Sequence, residues 1–431
     1  MQKISIIGAG LAGSEAAWQA VQRGVAVDLY EMRPAKMTPA HQTADFAELV
    51  CSNSLRAASL NNAVGLLKEE MRRLNSLIMQ AADATQVPAG GALAVDRELF
   101  ANYISHRLKK HSLVTVHELE VKKIPPGLTI IAAGPLVSET LSRQIAEFTG
   151  QDQLFFHDAI APVIAKESID LDKAFFASRY GKGETKGDYI NCPFNRQEYE
   201  RFYHELVQAE LYPLHGFEKP HVFEGCMPIE TLAKRGYETM RYGPMKPVGL
   251  PQPGGDLAYA VLQLRQDDQA ATMYNMVGFQ TRLKQGEQER VFRLIPGLER
   301  AEFLRFGRMH LNTYINAPQI LRSDLVCKKR PDLLFAGQIS GVEGYVESAA
   351  SGLLAGINAA RLALHKETLI LPRETALGSL LNYISSPHSN FQPMNITFGL
   401  LPPPAQKIRN KREKNASIAQ RALAFLAETE F

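Results

Sequence analysis

The rhythm of apolar and polar positions changes several times along this chain, and each change marks an element. Lys3-Ile4-Ser5-Ile6-Ile7 has the apolar run of a buried parallel strand, and it enters Gly8-Ala9-Gly10-Leu11-Ala12-Gly13 directly. From Leu11 to about Arg23 the spacing becomes helical, with Ala12, Ala16 and Ala20 on one side, and Gly24 stands where a left-handed cap is expected. A second strand, Val25–Tyr30, ends at Glu31, and Leu128–Gly134 reads as a third buried strand ending in glycine. Asp332–Gln338 repeats the strand-to-loop transition. Gly341 and Gly344 then lead to a helix from about Glu343 to Leu364, with Val346, Ala349, Ala350, Leu353, Leu354 and Ile357 at helical spacing. Gly352 and Gly356 on that helix are expected to permit close packing on a sheet.

Between roughly Ala159 and Ile320 the glycine-ended units vanish, and Pro, Tyr, Phe and polar residues take over. Tyr189–Phe194 and Ala258–Leu264 read as strands, and Glu198–Leu211 as an amphipathic helix. The predicted fold is α/β: a discontinuous Rossmann-like FAD-binding domain, residues 1–158 and 321–431, interrupted by an inserted α/β domain, residues 159–320. The segment Ala405–Ala427 reads as a C-terminal helix bearing Lys407, Arg409, Lys411, Arg412, Lys414 and Arg421, either a solvated face or an RNA contact.

The glycines carry candidate chemistry. Gly8 allows a tight turn, Gly10 lets backbone approach a pyrophosphate, and Gly13 allows close helix packing. Glu31 stands where an acid accepts hydrogen bonds from an adenosine ribose. The late loop offers a second helix N-terminus to an anion. An NAD domain does not need the two later pieces, whereas FAD is long and its flavin end must be held by a returning segment. The expected cofactor-binding set is Gly8, Ala9, Gly10, Leu11, Ala12, Gly13, Glu31, Val121, Gly134, Gly337, Gln338, Gly341 and Gly344.

Composition narrows the partners. A net charge of +3 over 431 residues means that any nucleic-acid contact must come from local clustering. No apolar run reaches the 18 or so residues of a membrane span. The first strand begins at once, so no signal peptide is expected. Cys51, Cys192, Cys226 and Cys327 form no CxxC pair and no Cys/His metal spacing, which predicts no metal and a reducing cytoplasm.

Segments outside the nucleotide fingerprints match one family. Glu48–Ser54, Phe223–Glu230, Gln263–Asp267, Tyr274–Thr281, Arg308–Thr313 and Met394–Gly399 resemble signature blocks of the folate-dependent tRNA (uracil-5-)-methyltransferases. The Gly337–Ala350 block also resembles the larger wobble-uridine-modifying flavoproteins, whose extra C-terminal helical sequence this chain lacks. The resemblance runs essentially end to end. Leu311 departs from it where a basic residue is expected, and Asp268 follows Asp267 where the family varies. It implies a cytoplasmic enzyme that methylates C5 of the T-loop uridine, position 54, of tRNA. FAD is the implied cofactor, and methylenetetrahydrofolate and NADPH or NADH the co-substrates. Monomer and homodimer both stay open.

Such chemistry needs a thiol and a reductant together. Uracil C5 is a poor nucleophile until a thiolate adds at C6. Capture of a methylene then leaves an exocyclic methylene that requires two electrons to become methyl. Cys226 is the candidate nucleophile: Gly225 and Pro228 indicate a turn, and Lys234 and Arg235 are near in sequence, although free cysteines are more often buried hydrophobes. The resemblance implies a second thiol, Cys51, near the flavin for proton transfer, with a structural thiol as the alternative. Arg265, Asp267, Arg308 and His310 are candidate substrate contacts. The resemblance implies that Arg308 and His310 approach flavin or folate, with a histidine satisfied in the core as the alternative, and Cys192 and Cys327 are assigned to packing. Two other classes share the fingerprints: a generic FAD oxidoreductase, which leaves the cysteine blocks unexplained, and a non-catalytic RNA-binding flavoprotein.

Overall fold

In the computed structural model, residues 3–151, 154–181, 187–213, 227–250, 252 and 254–429 are described. The glycine-ended strands gather into one parallel sheet in the order Leu333–Phe335, Thr129–Ile131, Ile4–Ile7, Val27–Glu31, Val114–Glu118. Both faces of such a sheet are covered, which is why Ile4, Ile6, Leu29, Ile130 and Leu334 are fully buried. The first helix spans Leu11–Gln22, and Gly24, at φ +75°, closes it by donating to the Val21 carbonyl at 3.0 Å.

The late helix spans Tyr345–Ala363, and its glycines meet a helix, not the sheet. A Cβ on Gly352 would lie 2.2 Å from the Ala12 carbonyl oxygen, and one on Gly356 2.4 Å from that of Ala16. Only hydrogen atoms at those positions let the two helices cross at backbone contact.

The middle of the chain forms an antiparallel six-stranded sheet, in the order Phe175–Ala177, Tyr189–Phe194, Ala260–Gln266, Met273–Met276, Val163–Ala165, Phe303–Arg305. Helix Arg196–Gln208 covers it through Tyr199, Phe202 and Leu206, and an Asn195–Glu198 capping box starts that helix. This second core draws on residues from Ile164 to Ala301. Tyr314, Ile315, Ala317 and Ile320 pack instead into the first core, although the texture change places them in the inserted unit.

A two-stranded ladder, Leu154–Ala159 against Met309–Tyr314, joins the two regions. His310 pairs opposite Asp158. Period-two alternation puts both on the face shared with Asn312, while Phe155 and Leu311 stay exposed on the other. The C-terminal helix spans Lys411–Ala427, so Lys407 and Arg409 precede it. Lys411, Arg412 and Lys414 are exposed on its first turn.

Candidate cofactor cleft and thiol site

The strand ends, the two glycine turns and the ladder enclose one cleft of about 320 Å³. Gly8, Gly10, Leu11, Ala12, Glu31, Val121, Gly134, Gly337, Gln338 and Gly344 line it, together with Cys51 and His310. Ala9, Gly13 and Gly341 do not. A Cβ on Gly13 would sit 1.8 Å from the Gly8 carbonyl oxygen, so Gly13 serves packing, and one on Gly341 would strike the Phe391 ring. Gly8, at φ +97°, approaches Ala132 so closely that a Cβ would lie 2.5 Å from its carbonyl oxygen. Gly10 is different: nothing lies within 4 Å of where its Cβ would stand. No close packing inside the protein requires this glycine, and its missing side chain leaves room in a cleft at a helix N-terminus.

Glu31 is tied into the turn it follows. The Ala9 N–H donates to Oε2 at 3.0 Å, and the Arg33 N–H and Nε donate to Oε1 at 3.1 and 3.0 Å. Burial alone would raise this carboxyl, but Arg33 and the backbone donors hold it below the usual range, as a carboxylate. Arg33 also reaches Glu48 at 3.3 Å and the Thr43 carbonyl at 3.1 Å, fixing the loop that leads to Cys51.

The opposite wall is poorly satisfied. His310 Nδ1 and Asn312 Oδ1 are buried with no hydrogen-bond partner. His310 Nε2 lies 3.8 Å from Asp158, and burial lowers the histidine's proton affinity. His41 is pushed down to about 4 by burial and Arg33, so both cleft histidines are neutral near pH 7. Glu343 accepts from Gln338 Nε2 at 2.6 Å. Burial and the Asp158 charge push its carboxyl well up. Buried polar atoms left open in a cleft await a polar ligand. The open Gly10 cradle and these two unpartnered atoms line one cleft and fit a polar ligand of dinucleotide size.

Cys51 is half-buried in the same wall. Its N–H donates to Tyr345 Oη at 2.6 Å, and its Sγ to the Ala159 carbonyl at 3.5 Å. Burial and the adjacent Cys51 keep the Tyr345 phenol protonated. Cys226 lies outside the described residues. Helix Ile229–Lys234 follows it, and Glu230 in that helix is buried, accepting from Thr281 Oγ1 at 2.9 Å. Cys192 and Cys327 are buried in the two cores.

Arg265 and Asp267 are not in the cleft. Both are buried at the seam between the two regions, Arg265 against Ser52 and Asn53, and Asp267 against Arg97 at 2.9 Å. Alternation along a strand sends every second side chain to the face that the seam covers, a placement no local pattern reveals. Arg308 is exposed outside the cleft, where its carbonyl accepts from the Ile160 N–H at 2.7 Å. Asp268 ties the next turn, accepting from Thr272 and Met273. Sequence reasoning missed Arg33, His41, Asp158, Asn312 and Glu343. Only Arg33 carried a local signal, two residues beyond the ribose acid.

Fold and cleft define a two-part dinucleotide-binding protein of the FAD-binding Rossmann type. The family described as glucose inhibited division protein A matches residues 3–367. Among solved structures, Aquifex aeolicus GidA in its form I crystal superposes with a TM-score of 0.71 at 17% identity, over 100% of this chain and 76% of that one. The form II crystal gives 0.70, over 99% of this chain and 73% of that one, again at 17% identity. Those two show the fold. Closer in sequence is the methylenetetrahydrofolate–tRNA-(uracil-5-)-methyltransferase TrmFO of Desulfitobacterium hafniense, 59% identical over 99% of this chain and 98% of the relative. The protein of that name from Enterococcus faecalis is 60% identical, again over 99% and 98%. The chain belongs to this methyltransferase family.

Proposed function

We infer that this protein methylates C5 of the T-loop uridine, position 54, in tRNA, taking the carbon from methylenetetrahydrofolate. The observation that carries the reading is end-to-end identity of 59–60% with relatives named for that reaction. Bound FAD supplies the two electrons that turn an exocyclic methylene into a methyl group, with NADPH or NADH as the source. The Gly8–Ala12 turn and the Gly337–Gly344 loop are assigned to hold the cofactor, with Glu31 at the ribose. A tRNA substrate assigns this work to the cytoplasm; no described helix is long and apolar enough to cross a membrane.

Cys226 is assigned as the nucleophile. Its thiolate adds to uracil C6 and C5 bonds to the folate methylene. Loss of the C5 proton then expels the folate nitrogen to leave an exocyclic methylene, and addition of a hydride equivalent to that carbon expels the thiolate and gives the methyl group. Cys51 is assigned to proton transfer beside the cofactor, supported by its place in the cleft wall. Arg265 and Asp267 are withdrawn as substrate contacts, while His310 stays a candidate through its open Nδ1.

Mass-spectrometric detection of 5-methyluridine in a T-loop transcript, after incubation with folate donor and reductant, tests the activity. Cys226→Ala is expected to keep FAD and tRNA affinity and lose methyl transfer, by roughly a thousandfold or more. A transcript carrying 5-fluorouracil should trap the wild-type enzyme at Cys226. A crosslink at Cys51, or full activity in Cys226→Ala, reverses the assignment. A colour change without 5-methyluridine would favour a generic oxidoreductase.

A further inference from the structure

The loop carrying Cys51 is held from outside its own domain. Arg265 stands on strand Ala260–Gln266 of the antiparallel sheet, yet its guanidinium leaves that sheet for the thiol loop. Its Nε donates to Asn53 Oδ1 at 2.8 Å and its Nη2 to Ser52 Oγ at 2.7 Å. Asn53 is fully buried and donates in turn to the carbonyls of Val95 and Gln266, each at 2.9 Å. The adjacent acid, Asp267, is engaged by Arg97, which also donates to the Leu49 carbonyl at 2.8 Å. Arg265, only 7% exposed, therefore makes its two short bonds to neutral oxygens in the two residues that follow Cys51, with a longer 3.4 Å bond from Nη2 to Asn275 Oδ1 within its own sheet.

Burying a guanidinium against neutral acceptors is costly, and its planar fork is suited to fixing two oxygens at once. A seam that needed only adhesion would do as well with apolar residues. We propose that Arg265 is a positioning residue for the reaction: the inserted domain uses it to set where the Cys51 sulfur stands in the cleft. This rests on the role assigned above to Cys51. Arg265 acts through Ser52 and Asn53, and through them it ties the sulfur to the central sheet of the inserted domain.

The test uses full-length, FAD-loaded protein. Arg265→Met is expected to retain FAD and to keep KM for tRNA within about twofold, with kcat falling roughly a hundredfold, the scale of a misplaced reacting group. Alkylation of Cys51 by iodoacetamide, read on its peptide by mass spectrometry, should change several-fold. Arg265→Lys keeps the charge but not the fork, so it should fall between wild type and Arg265→Met in both measurements. It also serves if Arg265→Met does not fold. Asp188→Ala removes the acceptor of a different tie across the same seam, the 2.6 Å bond from the Gly90 N–H, and should leave kcat and alkylation unchanged. If Cys51→Ala is inactive while Arg265→Met and Arg265→Lys match wild type in kcat and alkylation, the proposal is overturned. If Asp188→Ala reproduces the losses, the role is adhesion and the proposal also fails. Full activity in Cys51→Ala would overturn the thiol assignment itself, and this inference with it.

Discussion

Two pairs of helices in the cofactor-binding region begin in opposite ways. Leu77–Ala84 and Ala376–Ser385 each start on a hydroxyl cap, Ser76 and Thr375, and each also receives a buried carboxylate from a neighbouring helix. Glu15 accepts from the N–H groups of Leu77 and Ile78 at 3.3 and 2.9 Å, and Glu70 from those of Ala376 and Leu377 at 2.7 and 2.9 Å. Leu11–Gln22 and Tyr345–Ala363 start on Gly10 and Gly344, with no side-chain cap. All four helices begin with amides that have no partner within the helix and with a positive dipole end. The first pair is closed by the protein's own carboxylates. The second pair lines the cleft without a side-chain cap. Glu347 stands in the first turn of Tyr345–Ala363, whereas Leu11–Gln22 has no first-turn acid, and its open end beside the Gly10 cradle is assigned to a ligand's anion.

The largest effect is expected where the uncapped pair is blocked. Wild-type protein should be yellow, with one FAD per chain. Gly10→Val should lose the flavin absorbance entirely, because its side chain fills the space kept for the cofactor, yet melt as the wild-type apo-protein does. A yellow Gly10→Val protein would break the contrast.

The capped pair should respond to pH instead. Burial outweighs the donors from Ala376 and Leu377 and pushes Glu70 up from 4.5 to about 7. A carboxyl whose folded value is raised contributes stability in full below pH 4.5, and loses that contribution as pH rises through 7. The stability of wild type relative to Glu70→Gln should therefore fall by on the order of 3 kcal/mol across that window. Urea titrations of both proteins at several pH values check it, and a flat difference would show that the buried carboxyl does not titrate. Smallest is the local cap: Ser76→Ala, with Glu15 left in place, should cost about 1 kcal/mol and leave FAD content unchanged.

Much of the cofactor half was legible because its signals are local. Gly8, Gly10, Gly13 and Glu31 lie within one strand–turn–helix–strand unit, where turn sterics restrict the choice of residue. Gly352 and Gly356 were legible as close-packing residues, but their partner was not, since nothing in a helix's own spacing says whether a sheet or another helix lies across from it. Arg265 and Asp267 misled for a related reason. A charged pair on a strand reads the same whether it faces a ligand or a domain seam, and only the register against Tyr189–Phe194, with the loop at Ser52 and Asn53, separates the two.

The sequence by itself determined the dinucleotide turn, the alternation of parallel strands with helices, the interruption by a second unit and, through its signature blocks, the family. Each rests on short-range geometry or on residue identity along the chain. Only the tertiary structure brought His41, Asp158, His310, Asn312 and Glu343 around one cleft. It also neutralised the histidines by burial and turned Arg265 from a substrate contact into a strut for the thiol loop. Those outcomes depend on desolvation and on contacts between residues hundreds of positions apart, which arise only where the two cores pack against each other.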